Sequence, residues 1–220
     1  MKKYALIVAG GKGLRMGADL PKQFLELAGL PVLMHTIKAF RQVEDIHITL
    51  VLPLDHMEYW ATLCKFHQFS IPHQLIEGGA SRFQSVKNGL AGIPKDALVA
   101  IHDGVRPLVS TQVINDGFLT ATEKGNAIAV VPLKDSLRKQ EFEKNFAVNR
   151  ANYFLVQTPQ TFHSNSIQEA YEAAADDNFT DDASVLEAQN KTIHLIPGDY
   201  KNIKITTPED LLIAEAFLRN

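Results

Sequence analysis

The chain has 220 residues, 45% of them hydrophobic and 21% charged, with a formal net charge of −3 at pH 7. That length suits one domain with a sizeable core, and the apolar content is too high for a disordered chain. The slight negative charge excludes a general attraction to nucleic acid or an anionic membrane, so any phosphate chemistry needs a local cluster of basic residues.

In chain order, short apolar runs alternate with longer stretches of helical period. The run at 4–9, after Lys2 and Lys3, is too short for a signal core or a membrane span; it predicts a strand and a cytoplasmic protein. A helix is expected at 32–41, a strand at 46–52, a helix at 55–69 and a strand at 73–77. Cys64, alone in the chain, excludes an intrachain disulfide framework and cannot build a structural zinc site. Next come a helix at 81–91, strand 98–102, helix 111–124 and strand 127–131. From 133 to 157 the chain turns polar and charged, which predicts a β-hairpin leaving the main sheet, with a turn near Asn145. A hairpin alone in water is marginal, so this arm is expected to pack on a second subunit, a mobile surface loop being the alternative. Helices at 165–175 and 182–189, a strand at 192–196 and a helix at 208–218 complete the chain. The alternation predicts an α/β domain, a largely parallel twisted sheet with helices on both faces, whose ligands bind at the carboxyl ends of the strands.

The loop after the first predicted strand reads Ala9-Gly10-Gly11-Lys12-Gly13-Leu14-Arg15-Met16-Gly17. Glycines let backbone N–H groups wrap an anion, because no Cβ blocks the approach. A dinucleotide fingerprint begun at Gly11 fails at Met16, and no Walker string occurs in the chain. Basic residues continue past the glycines: Arg15, then Lys22 within Leu20-Pro21-Lys22-Gln23-Phe24, where Pro21 stiffens the approach. This combination resembles the nucleotidyltransferases that activate sugars and polyols as nucleotide diphosphates.

Four later strings narrow the reading. Gly78-Gly79-Ala80-Ser81-Arg82-Phe83-Gln84-Ser85 opens a helix with Ser81 as N-cap; it serves either as a turn and cap or as the edge of a base and its ribose. Asp103, at a strand's carboxyl end, is a candidate for ribose hydroxyls or magnesium, and Arg106 for a substrate phosphate; an Asp–Arg pair holding the loop is the structural alternative, and both readings can be true together. Thr158-Pro159-Gln160 flanks the return of the arm, and Thr180-Asp181-Asp182 reads as a helix start with Thr180 near the cap. Lys204 sits in an alternating run, expected as a short strand before a capped helix, and points either to solvent or into a cleft. No HExxH string or Cys/His cluster marks a metal site among the eight histidines.

These strings, in this order from the first strand to Asp210, resemble the 2-C-methyl-D-erythritol 4-phosphate cytidylyltransferase family. The resemblance implies a single Rossmann-like nucleotidyltransferase domain over 1–220, a homodimer exchanging arms at about 133–157, and Mg2+ whose ligands stay unassigned. It implies that Ala9, Gly10, Gly11, Gly13, Gly79 and Ser85 hold CTP, with cytosine near Gly79 and Ser85. Arg15 and Lys22 would bear on the triphosphate, and Arg150 and Lys204 would aim the nucleophile. Asp103, Arg106, Lys204 and Thr180 would hold the methylerythritol phosphate with Ser136, Arg150 and Thr158 reaching in from the partner's arm. Ser136 stands where the family often has Thr, and Gly104-Val105 replaces a commoner pair of alanines; neither removes a charge. A sister enzyme acting on ribitol 5-phosphate is the nearest rival, followed by a non-catalytic nucleotide binder, which the retained basic residues disfavour, and by a nicotinamide oxidoreductase.

Overall fold

The computed structural model describes residues 1–10 and 20–219. Strand β1 (Lys3–Val8) is followed by a two-stranded ribbon of β2 (Glu26–Leu27) and β3 (Leu30–Pro31), helix α1 (Val32–Arg41) and strand β4 (Ile46–Leu52). Then come α2 (Leu54–Phe66), β5 (Gln74–Glu77), α3 (Arg82–Ala91), β6 (Leu98–Asp103), α4 (Thr111–Lys124) and β7 (Asn126–Pro132). The arm is β8 (Leu137–Glu141) and β9 (Lys144–Val148), and the chain returns through β10 (Phe154–His163). Helices α5 (Ser164–Ala173) and α6 (Asp182–Glu187), strand β11 (Leu195–Pro197) and helix α7 (Pro208–Leu218) follow.

Seven strands form one sheet in the order β11-β7-β10-β6-β1-β4-β5. All neighbours are parallel except β10, which runs antiparallel to both β6 and β7. Side chains of a strand alternate between faces, and β1 shows the consequence. Ala5 and Ile7 pack with Leu33, Met34, Ile37 and Phe40 of α1 and with α4, while Leu6 points the other way to α3, α5 and α6. A strand buried on both faces must be apolar throughout, which is why these runs were readable in the sequence.

β10 was absent from the predicted strands. Its sequence, FLVQTPQTFH, carries Pro159 and several polar residues, and proline argues against a central strand. The ladder accommodates it with a register shift between Val156 and Gln160 at the cis Thr158–Pro159 bond. The strand's first residue, Phe154, already pairs with Pro132, so the arm closes before residue 154 rather than at 157. Its hairpin turn is at Phe142 and Glu143, not near Asn145, which sits within β9 opposite Gln140. The strand expected at 192–196 is shorter and later, Leu195–Pro197. Lys204 lies in an extended segment without a ladder, tied by one bond from Ile205 N–H to the Val105 carbonyl at 2.9 Å. The helix beyond it has its expected cap, a reciprocal Thr207/Asp210 box.

Candidate functional site

A pocket of about 310 Å³ opens at the carboxyl ends of β1 and β6, between Lys22, Gly79 and Lys204. A larger hollow of about 860 Å³ lies at the opposite end of the sheet, around Lys2, Arg41 and His47. It is at the amino ends of β1 and β4, away from the strand ends where ligands of such sheets bind.

The first wall begins where β1 stops. Ala9 donates its N–H to the Val51 carbonyl at 3.0 Å and accepts the Gln23 side-chain amide at 2.9 Å. Gln23 is fully buried, and Phe24 beside it packs against the rings of His56, Tyr59 and Trp60. Lys22 is therefore presented on a short turn anchored directly behind it, facing the pocket. Gly11, Gly13 and Arg15 lie outside the described residues.

The second wall is the start of α3. Ser81 caps that helix through the Gln84 N–H at 3.1 Å, as its sequence predicted. The buried Ser85 hydroxyl accepts the Gly79 N–H at 3.0 Å and donates to the Ser81 carbonyl at 2.9 Å. A Cβ on Gly10 would stand 3.7 Å from that same oxygen, so Ser85 lies at the seam between the two glycine strings. A Cβ on Gly79 would come within 2.5 Å of the Gln84 Cβ, which fixes glycine there.

Arg82, the first residue of α3, also lines the pocket, and its fork grips the fully buried Asp182 at 2.8 and 2.6 Å. The Tyr171 hydroxyl donates to the same carboxylate at 2.6 Å. Burial alone would lower the Arg82 pKa, but the charge and hydrogen bonds of Asp182 outweigh it and hold the guanidinium firmly protonated. Burial, reinforced by Asp182, pushes the Tyr171 phenol up.

The floor is Asp103 with its partners. One carboxylate oxygen takes Arg106 Nε at 3.0 Å and Lys204 Nζ at 3.1 Å. Burial would raise the Asp103 pKa, but Lys204 first and Arg106 next hold it well below the usual carboxylate range. Arg106 spends a second donor on the Asn202 carbonyl at 2.9 Å. Behind the floor His102, fully buried, touches Thr158 and the Arg106 carbonyl, and burial lowers its pKa to about 4. Gly104 is crowded: a Cβ there would meet that of Ala9 at 2.8 Å.

Ala9, Gly10, Lys22, Gly79, Ser85, Asp103 and Lys204 thus come from five stretches of chain to one pocket. The question left open for Lys204 is answered, since it turns into the cleft while Ile203 and Ile205 pack beneath it. Other expectations change. Arg106 stands behind Asp103, outside the pocket lining, and its bonds to Asp103 and the Asn202 carbonyl hold the loop. Thr158 is not on the arm but buried in β10, its hydroxyl bonded to Asp103 and His102 of its own chain. Ser136 and Arg150 are on the exposed arm, outside the pocket lining, and Arg150 folds onto the Lys134 carbonyl. Thr180 is exposed; the cap of α6 is Asp181, which takes the Ser184 N–H at 3.0 Å and, through its other oxygen, the Gln160 amide at 2.9 Å. The sequence reading missed Arg82–Asp182–Tyr171, His102 and Gln23. Arg82 and Asp182 are 100 residues apart, so no local spacing could join them, and Asp182 looked sufficient as a dipole partner.

The family profile described as 2-C-methyl-D-erythritol 4-phosphate cytidylyltransferase (IspD) matches residues 4–220. Among curated proteins of that name, one from Porphyromonas gingivalis is 52% identical over 218 residues, covering 99% of this chain and 98% of its own. Another, from Bacteroides thetaiotaomicron, is 48% identical over 219 residues, covering 99% and 100%. The solved 4-diphosphocytidyl-2C-methyl-D-erythritol synthase of Anaerococcus prevotii superposes with a TM-score of 0.86 at 29% identity, covering 100% of this chain and 96% of that one. The 2-C-methyl-D-erythritol 4-phosphate cytidylyltransferase of Thermus thermophilus gives 0.81 at 31% identity, with both chains fully covered.

Proposed function

The chain belongs to the 2-C-methyl-D-erythritol 4-phosphate cytidylyltransferase family, and from that membership we propose how its pocket carries out the reaction. The protein transfers the cytidylyl group of CTP to 2-C-methyl-D-erythritol 4-phosphate, giving 4-diphosphocytidyl-2-C-methyl-D-erythritol and pyrophosphate for isoprenoid synthesis. The observation that carries the reading is the meeting of both glycine strings with Lys22 and the Asp103–Lys204 pair around one pocket.

A phosphate oxygen of the polyol attacks the α-phosphorus of CTP in line, the bond to the β-phosphate breaks, and pyrophosphate leaves. A phosphate monoester has a second pKa of about 6 and is mostly dianionic near pH 7, so no general base is required. The obstacle is bringing two polyanions together, which fixed cations and positioning overcome. Lys22 faces the triphosphate, the role that the family resemblance gives Arg15 as well, and Gly79 and Ser85 border the cytosine. Lys204, oriented by Asp103, aims the acceptor phosphate. The Arg82–Asp182 pair braces the wall between these subsites.

Magnesium fits as a cation carried mainly by the nucleotide's phosphates and water, the usual mode for Mg2+ with one or two carboxylates at most. Asp103 is the carboxylate of the pocket lining, and among the described residues no group of three or more His, Cys, Asp or Glu forms a metal cage. When bound, the ion neutralises charge on the transferring phosphates. Two copies exchange arms, so that Ser136 and Arg150 of each approach the other's pocket while Thr180 closes its rim. The exposed aromatic residues of the arm and return strand support this arrangement: Phe142, Phe146, Tyr153 and Phe154. No described helix is long and apolar enough to cross a membrane.

Pyrophosphate release with CTP and Mg2+ tests the reading. Methylerythritol phosphate is expected to support turnover and ribitol 5-phosphate not; release with ribitol 5-phosphate alone would move the protein to another acceptor.

A further inference from the structure

The loop Asp103-Gly104-Val105-Arg106 carries the carboxylate that orients Lys204, and its backbone bonds are almost fully accounted for. Gly104 N–H donates to the Val8 carbonyl at 2.8 Å, and the Thr36 hydroxyl donates to the Gly104 carbonyl at 3.0 Å. Arg106 N–H donates to the Asp103 carbonyl at 3.1 Å, closing the turn. The Val105 carbonyl accepts the Ile205 N–H at 2.9 Å. The Asp103 N–H and the Arg106 carbonyl, at the two ends of the loop, both lead to His102.

Donor and acceptor chemistry fixes two directions in that link, and burial of the ring fixes the third. Asp103 N–H can only donate, so the Thr158 hydroxyl oxygen, 3.1 Å away, accepts. The Thr158 oxygen keeps a second lone pair, so it is the full burial of the ring, which disfavours a charged imidazole, that makes Nδ1 bare and turns the hydroxyl proton toward it at 3.1 Å. The Arg106 carbonyl can only accept, so His102 Nε2, at 3.1 Å, carries the ring proton. One neutral tautomer satisfies all three bonds. The ring is fully buried and held edge-on by Phe40 at 4.9 Å, so it cannot exchange these partners for water.

We propose that His102, as the neutral Nε2–H imidazole, is a positioning residue that clasps both ends of the Asp103–Arg106 loop, with the Thr158 hydroxyl as its relay. Thr158 then serves the acceptor site from beneath, through the Asp103 N–H, and not by touching the acceptor. This inference rests on the cytidylyltransferase reading for its kinetic test but not for its spectroscopic one.

The variants Thr158→Val, Thr158→Ser, His102→Gln and the double Thr158→Val/His102→Gln separate the alternatives. Valine removes the hydroxyl at nearly constant shape, serine keeps it, and glutamine retains a donor near Nε2 while losing the Nδ1 acceptor. Thr158→Val is expected to lower kcat/KM for the acceptor by about 10- to 100-fold. Thr158→Ser is expected to restore it to within a few-fold. Because both single changes break the same link, the double variant is expected to be no worse than the poorer single one. Multiplying effects, or a Thr158→Val enzyme with normal kinetics, would overturn the relay. Nitrogen-15 shifts of the wild-type ring, assigned by loss in His102→Gln, are expected to show Nε2 protonated and Nδ1 bare in the absence of substrates. The opposite tautomer would overturn the clasp. A wild-type protein inactive on both substrates would instead remove the functional reading and leave the tautomer to decide the clasp.

Discussion

At the carboxyl end of the sheet Arg82, Asp103, Arg106 and Lys204 are each bound by partners from the same chain, whereas the arm turns its aromatic side chains to solvent. Phe142, at the hairpin tip, is 99% exposed and has a φ of +53°, a left-handed conformation that a bulky residue seldom adopts. The arm's Lys139–Glu141 ion pair lies in water, where such pairs contribute between about 0 and 1 kcal/mol. The two regions therefore obtain order from different sources. The pocket is preorganised by its own chain before substrate arrives, and the arm has aromatic surface that its own chain leaves exposed.

The largest expected effect tests the brace of the pocket. Asp182→Ala leaves the Arg82 guanidinium and the Tyr171 hydroxyl without their shared acceptor. Loss of one member of a buried ion pair should cost about 3 kcal/mol or more and lower Tm by on the order of 10 °C. A thermal melt shifted by a degree or two would mean that the wall does not depend on this network. Lys22→Ala should instead keep its melting temperature and lose roughly 10²–10³ in turnover, the usual effect of removing one fixed transition-state donor. Near-normal turnover in that folded variant would take Lys22 out of the mechanism.

A smaller effect appears with acid. His102 is held neutral, its pKa lowered to about 4 by burial, while the unfolded chain's imidazole titrates at about 6.5. Between those values the unfolded chain takes up a proton that the folded protein refuses, so stability is complete above pH ~6.5 and declines as pH falls toward ~4. The Asp103 carboxylate, depressed by Lys204 and Arg106, adds a loss that begins only below the ordinary carboxylate pKa. Urea melts across this range should show a shallower decline above pH 4.5 for His102→Gln than for wild type; parallel curves would contradict a neutral His102. The smallest effect on folding belongs to the arm. Phe142→Ser with Phe146→Ser should change stability of the isolated fold by no more than about 0.5 kcal/mol, yet convert the proposed arm-exchanged dimer to a sedimenting monomer. A wild-type monomer, or a mass unchanged in the variant, would overturn the arm exchange.

Much of the pocket was legible because its residues are announced by local strings at strand ends. Gly10 after β1, Gly79 before α3, and Asp103 ending β6 follow from the α/β alternation alone, and so does their convergence. Thr158 shows where that legibility stopped. Its string was conspicuous, but whether the hydroxyl faces a partner subunit's substrate or its own sheet depends on β10, and Pro159 concealed β10 as a strand. Lys204 was likewise visible as one residue of an alternating run, with nothing local to say which side of that run was covered.

The sequence by itself determined the alternation of the strands and helices other than β10 and the β2–β3 ribbon, the capped starts of α3 and α7, and the basic residues around the glycine loops. Each is set within a few residues, by apolar periodicity or by a cap side chain reaching one turn along the chain. Only the tertiary structure decided that β10 enters between β6 and β7, that Asp182 closes on Arg82, and that His102 faces Thr158. Those pairings join residues from 22 positions apart, Pro132 with Phe154, to 100 apart, Arg82 with Asp182. Their energy comes from satisfying groups that burial has cut off from water, and burial is a property of the assembled sheet rather than of any stretch of chain.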